Sequence, residues 1–305
     1  MKGGGFSLHA RRPRDWVLLF ALVAMWGSAF MFIKIAVAHV PPATIAAGRL
    51  AIGALVLLVV IRAMGLRLPP LTRAWRLYGL LAFVGNALPF YLIAWGQQGI
   101  DSALAGILIA FMPLATLVLS HFFVQGEQIT RPRAIGFVLG FLGIVLLMGP
   151  AALTGIAGST AQVVSELAVL GGALCYAANT VIARRNVKGD VLVTSAGVLV
   201  IATAMSVPVA LVVDRPWMLA PDALAIASVV WMGVGPTGVA TIFYFLLVGS
   251  AGPTFMSLVN YIAPCVALAL GVAILNEAPG PNAYAGLILI LGGIALSQLR
   301  RNPTP

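Results

Sequence analysis

The chain has 305 residues, of which 61% are hydrophobic and only 9% charged, and its formal net charge is +10. A soluble globular domain is roughly 45–50% apolar and about 25% charged, and the mean hydropathy here is +1.05. Soluble enzymes, nucleic-acid-binding modules and disordered chains are excluded by this balance, because the positive charges lie between apolar runs and build no basic face.

A helix needs about 20 apolar residues to cross the hydrocarbon core. That window predicts ten spans: 16–38, 43–62, 75–97, 102–124, 133–150, 165–184, 190–213, 223–248, 252–276 and 282–299. Pro, Gly and charge clusters such as PPLTRAWR and NEAPGPN separate them. The runs are too long and too uniformly apolar for barrel strands. The basic start MKGGGFSLHARRPRD precedes a long apolar run without a small-residue cleavage site, so the first span is expected to be retained. Cys175 and Cys265 both fall inside spans and read as small buried hydrophobes.

Lys and Arg set the orientation. Lys2, Arg11, Arg12 and Arg14 precede span 1, and Arg62, Arg67, Arg73 and Arg76 flank the second connection. Arg131 and Arg133, then Arg184, Arg185 and Lys188, and finally Arg300 and Arg301 fall on the same side, while Arg215 alone lies opposite. Both termini are therefore expected in the cytoplasm. The predicted organisation is a cytoplasmic tail over 1–15, a first five-helix repeat over 16–150, a periplasmic linker over 151–164, a second repeat over 165–299 and a cytoplasmic tail over 300–305. The repeat is visible in FYLIAWGQQG at 90–99 against FYFLLVGSAG at 243–252, Pro113 against Pro264, Glu127 against Glu277, and Gly136 and Gly143 against Gly286 and Gly293. Five spans per copy is odd, so the second copy enters the membrane inverted, as in secondary transporters that hold substrate between the copies.

WGSAF at 26–30, Arg49 in span 2, Pro113 and Pro264, and Glu127 and Glu277 closing spans 4 and 9 resemble the drug/metabolite transporter superfamily, EamA family. The resemblance implies a ten-helix basket with spans 1–4 and 6–9 as its core and spans 5 and 10 peripheral. It further implies export of small metabolites, amino acids among them, across a bacterial inner membrane; the similarity is greatest to exporters of aromatic and neutral amino acids.

The residues add detail. Asp15, Asp101, Glu127, Glu166, Asp190, Asp214, Asp222 and Glu277 all fall at predicted span ends or in connections, so no mid-depth carboxylate is expected. A neutral cavity suits neutral or zwitterionic substrates, and it makes transport down the substrate gradient as reasonable as proton exchange. Lys34 reads as snorkelling to the interface. Arg49 reads as bonded to carbonyls or Glu277, with contact to a substrate carboxylate as the alternative. Trp26, Asn86, Tyr176, Asn179, Tyr244, Asn260 and Tyr261 are the mid-depth polar and aromatic candidates for substrate binding, and Tyr91 shares a face with Trp95 for an outer vestibule; each has interhelical packing as its alternative. Trp16, Trp75 and Trp95 read as belt residues. Pro113 and Pro264 are expected to kink their helices at matched hinges. The glycines Gly136, Gly140 and Gly143 suit close helix packing, with dimerisation second. Gly233-Val-Gly235-Pro-Thr-Gly238 mimics a dinucleotide motif but lacks the preceding strand that motif requires. No catalytic or metal-binding pattern is present, so no enzyme activity, cofactor or metal is expected. The expected partners are a small-molecule substrate and the lipid bilayer, without nucleic acid, and both monomer and homodimer stay open. The competing functions are a sugar-phosphate or nucleotide-sugar exchanger, a membrane-embedded enzyme and a passive channel.

Overall fold

The computed structural model describes residues 12–70, 74–125, 127, 129–148, 160–186 and 189–298. The two expected tails up to residue 11 and from residue 299, the linker through residue 159, and Arg73 and Lys188 lie outside the described residues. Ten apolar helices appear among those described: α1 (Pro13–Val37), α2 (Pro42–Ala63), α3 (Trp75–Gly96), α4 (Ser102–Phe123), α5 (Arg131–Met148), α6 (Thr160–Asn186), α7 (Val191–Val213), α8 (Ala223–Ala251), α9 (Pro253–Leu275) and the shorter α10 (Pro281–Ser297). Prolines occupy the first positions of α1, α2, α9 and α10, where the missing N–H breaks no helical bond. Asp190 and Asp222 accept backbone N–H groups at the starts of α7 and α8. Every backbone polar group in hydrocarbon must be satisfied locally, which is why these apolar runs become helices.

The peripheral pair is α5 and α10. Gly136 meets Gly293 backbone to backbone, and Gly143 and Gly286 each lie against the other's carbonyl oxygen. The small-residue run thus serves packing within the chain. The other face of α5 is exposed through Ile135, Val138, Phe141, Leu142 and Val145, as a lipid-facing surface should be.

Helices of both repeats pack together at both ends of the bundle. At the end where α1 starts and α10 finishes, two separate apolar cores form. One joins α2, α3 and α7 through Leu57, Ile61, Tyr78, Leu81 and Leu199. The other joins α1, α8 and α9 through Leu18, Leu22, Leu247, Phe255 and Val259. At the far end another core joins α1, α2, α3 and α8 through Ile33, Ala36, Ile45, Ile93, Ala225 and Met232. The helix α4 changes neighbours along its length. Its first half, Ser102–Ile109, packs on α9, α6 and α1, while its second half, Met112–Phe123, packs on α6, α5 and α10.

Polar contacts hold both ends. At the far end Lys34 Nζ donates to the carbonyls of Gln97 (3.1 Å) and Ile100 (2.7 Å). Gln97 Nε2 returns a bond to Phe30 O at 2.9 Å. The Glu277 carboxylate accepts the Ser102 and Ala103 N–H groups at 2.8 and 2.9 Å, capping α4 from α9. Asp214 of α7 likewise accepts the Thr44 N–H and hydroxyl of α2. At the near end polar contacts also cross between the repeats. Glu127 pairs with Arg133 and with Arg184 of α6, and Ser250 of α8 donates to Asp15 of α1.

Several expectations change. Lys34 does not snorkel, because two carbonyls of the α3–α4 connection hold it. Glu166 is not at a helix end. The helix α6 starts at Thr160, and the Glu166 side chain is fully buried with one oxygen on Gln162 and the other without a partner. The two proline hinges are unequal. The chain turns at Ala110–Phe111, and Pro113 restarts α4, whereas Pro264 lies inside a continuous helix Val259–Leu275 whose break comes earlier, at Ser257–Leu258.

Candidate functional site

Two helical irregularities mark mid-depth. In α3 a π turn covers Phe83–Ala87, and in α8 another covers Gly233–Val239. Each ends a few residues before the Phe-Tyr pair of the repeat. A π turn shifts the hydrogen-bond register and releases backbone acceptors. In α8 the cause is visible. Pro236 has no N–H to give Met232 O, which takes the Thr237 hydroxyl instead at 2.8 Å. Ala240 N bonds Gly235 O, five residues back, and Trp26 Nε1 of α1 takes Pro236 O at 3.1 Å. The run that mimics a dinucleotide motif is this π turn. Its glycines allow contact with α2, because Gly233 lies against Ile52 and Gly238 against Val56.

The opposite repeat answers with matching parts. Tyr176 stands in α6 where Trp26 stands in α1. Its ring meets Phe90 of α3 edge-on at 6.5 Å, while Trp26 meets Tyr244 of α8 at 6.2 Å. Asn179, one turn along α6, presses on Gly85 in the α3 π turn, and its carbonyl oxygen is sealed in without a hydrogen-bond partner. An amide oxygen left bare in an apolar interior costs about 1–3 kcal/mol.

Arg49 of α2 lies between these two aromatic pairs. It is 8% exposed. Its Nε donates to Thr237 Oγ1 at 2.8 Å, and its guanidinium lies 3.8 Å from the centre of the Phe90 ring. One residue of one repeat thus touches α8 and α3 together. The expectation of carbonyl or Glu277 partners is not met, since Glu277 is occupied with α4.

The structure therefore links Arg49 to Phe90 and Thr237, Phe90 to Tyr176, and, through Pro236 next to Thr237, Trp26 and Tyr244, with Asn179 against the α3 π turn. It leaves others apart. Asn86 turns back to Leu81 O of its own helix at 3.4 Å. Tyr91 and Trp95 are exposed on the outer face of α3. Tyr261 packs beside the α4–α10 core, and Asn260 is half-buried next to Val259, which belongs to the α1–α9 core. Sequence reading missed Phe90 and Thr237. The available signal was the matched Phe-Tyr pair together with a proline inside the glycine-rich run of span 8.

Relatives of known sequence are similar over nearly the whole chain. The uncharacterized inner membrane transporter YedA of Escherichia coli (strain K12) is 25% identical over 290 residues, covering 92% of this chain and 89% of its own. The uncharacterized transporter YvbV of Bacillus subtilis (strain 168) is 26% identical, covering 93% and 92%. A probable terminal-alkyne amino-acid exporter of Streptantibioticus cattleyicolor is 25% identical over 288 residues, with 93% of each chain covered. One solved crystal structure shares the fold with a TM-score of 0.67 at 22% identity, over 94% of this chain and 98% of its own. The EamA-like transporter family matches residues 15–149 and 164–299, the two five-helix repeats. With its paired π turns, its inverted halves and that match over both copies, this multi-pass membrane chain belongs to the EamA-like transporter family, within the drug/metabolite transporter superfamily.

Proposed function

We propose that this chain is a bacterial inner-membrane exporter of small neutral or zwitterionic metabolites, amino acids with aromatic or other apolar side chains foremost, working by alternating access. The observation that carries it is a mid-depth aromatic and polar cluster built by both inverted repeats, in which Arg49 meets Thr237 and Phe90 beside the Trp26–Tyr244 and Phe90–Tyr176 ring pairs. Contacts between the repeats hold both ends around it, Glu277 and Asp214 at the far end, Glu127 with Arg184 and Asp15 with Ser250 at the near end. With Lys and Arg concentrated at the near end, that end faces the cytoplasm. Inverted repeats supply alternating access by exchanging the packing of the two copies, so that each end opens in turn. The name of the Streptantibioticus relative supports amino-acid export.

Purified protein in liposomes, loaded with labelled phenylalanine at equal pH on both sides, tests this. Saturable efflux down the substrate gradient is expected. Non-saturating flux is the outcome for a channel, flux of sugar phosphates in place of amino acids that for an exchanger, and flux only under an imposed pH gradient would show obligatory proton coupling.

A further inference from the structure

We infer that Arg49 is the carboxylate anchor of the transport site, so that the substrates are molecules with a single carboxylate beside an apolar side chain. The inference rests on the proposed export of small zwitterions and names the group that selects them.

A guanidinium carries five N–H donors and stays charged at any physiological pH. Here one donor is used, Nε to Thr237 Oγ1. The two terminal nitrogens bond no described residue, and neither is sealed off from open space. No carboxylate among the described residues pairs with Arg49; the ion pairs that form involve His39, Arg133 and Arg184. An unpaired cation inside a membrane bundle costs several kcal/mol. Stacking on Phe90 and one hydroxyl bond offset only part of that. What is missing is an anion, and the free fork of two terminal nitrogens matches the two oxygens of one carboxylate.

The surroundings set the rest of the ligand. Phe90 covers one guanidinium face and passes its edge to Tyr176. On the other side Thr237 adjoins Pro236, whose carbonyl holds Trp26, which in turn meets Tyr244. A carboxylate on the terminal nitrogens therefore has rings of both repeats beside it for the apolar part. A phosphate dianion would need a second cation. The other intramembrane cation, Lys34, is committed to two carbonyls at the far end.

The test uses the full-length protein and four probes: L-phenylalanine, 3-phenylpropionate, phenylalaninamide and phenethylamine. Wild-type protein in liposomes should move labelled phenylalanine, with 3-phenylpropionate competing and the amide and amine failing to compete. Arg49→Met should raise the half-saturating phenylalanine concentration by about tenfold to a hundredfold, the range for a lost hydrogen bond to a charged group, and abolish the preference for the carboxylates. Arg49→Lys, which keeps the charge but not the fork, should fall between them. The wild-type competition series stands even if Arg49→Met does not fold. Competition by phenethylamine equal to that by phenylalanine overturns the anchor and leaves the exporter reading intact. Failure of phenylalanine itself to move overturns the amino-acid reading, and the anchor with it.

Discussion

Trp26 and Tyr176 hold matched positions in the two repeats, yet they hold them differently. Trp26 donates to Pro236 O, whereas the Tyr176 ring meets Phe90 edge-on among apolar neighbours of α2, α3 and α8. A ring stacked on substrate contributes on the order of 1 kcal/mol. Tyr176→Ala is expected to raise the half-saturating phenylalanine concentration several-fold with the thermal midpoint little changed, and Trp26→Ala to lower both affinity and midpoint because it also frees Pro236 O. Equal loss of stability and transport in both variants would make the rings packing alone. A second residue-scale expectation concerns Asp101, outside the spans at the start of α4. Burial, and after it the nearby Glu277 carboxylate, raise the Asp101 carboxyl above the ordinary carboxylate range, against the pull of Lys34. A carboxyl with a raised pKa in the folded state destabilises the fold when ionised. That penalty is complete above the raised pKa, shrinks as pH falls below it, and is gone once pH is below the ordinary carboxylate range. Asp101→Asn is therefore expected to be more thermostable than wild type at neutral pH, with the gain shrinking on acidification; a gain independent of pH would exclude the titration of Asp101 as its source.

At the scale of elements, α5 and α10 are one unit and the π-turned helices α3 and α8 another. A side chain at Gly136 meets the backbone of α10 at Gly293, and backbone cannot yield as a side-chain tip does. Gly136→Leu is expected to lower the thermal midpoint by several degrees while leaving the half-saturating concentration of the surviving protein unchanged, since α5 carries none of the site. Gly249→Ala, with open space around it, serves as the tolerated control. A changed substrate affinity in Gly136→Leu would mean that α5 moves with the transport cycle. In α8 the strain sits at the site itself: proline, the Thr237 hydroxyl and the Trp26 indole share out the acceptors that an uninterrupted helix would satisfy.

For the whole molecule, both ends carry contacts between the repeats. At the far end Glu277 holds the start of α4 across the repeats, and Lys34 holds the α3–α4 connection to α1. Removing both should favour opening of that end. In a background lacking Cys175 and Cys265, a cysteine at Ser28 is expected to react several-fold faster with an impermeant external thiol reagent when Glu277→Gln and Lys34→Met are present. An unchanged rate would assign closure to the apolar bridge of Ile33, Ile45, Ile93 and Met232 alone. The same background checks orientation. Single cysteines at Gly3 and Pro305 should resist that reagent in intact cells, and labelling of either would reverse the assigned ends.

The ten apolar runs, their inversion and the sidedness of their charges are legible in the chain itself, because lipid leaves a long apolar segment no alternative to a helix and because charge in connections sets orientation. Trp26, Tyr176, Asn179 and Tyr244 were legible as mid-depth polar and aromatic residues for the same reason. The partners of Arg49 and Lys34 were not. Each is a contact between residues far apart in sequence: Arg49 with Thr237 and Phe90, Lys34 with the carbonyls of Gln97 and Ile100. Composition and spacing say that a cation is in a span, not which of ten helices faces it. The π turns escaped for a related reason. A glycine or proline in an apolar run announces an irregularity, but whether it kinks, breaks or shifts register depends on which side chain is at hand to take the freed carbonyl, as Trp26 and Thr237 do in α8 and as no described partner does for Pro264. Only the packed helices decide which residues of the two repeats meet, because each such contact joins positions far apart in the chain.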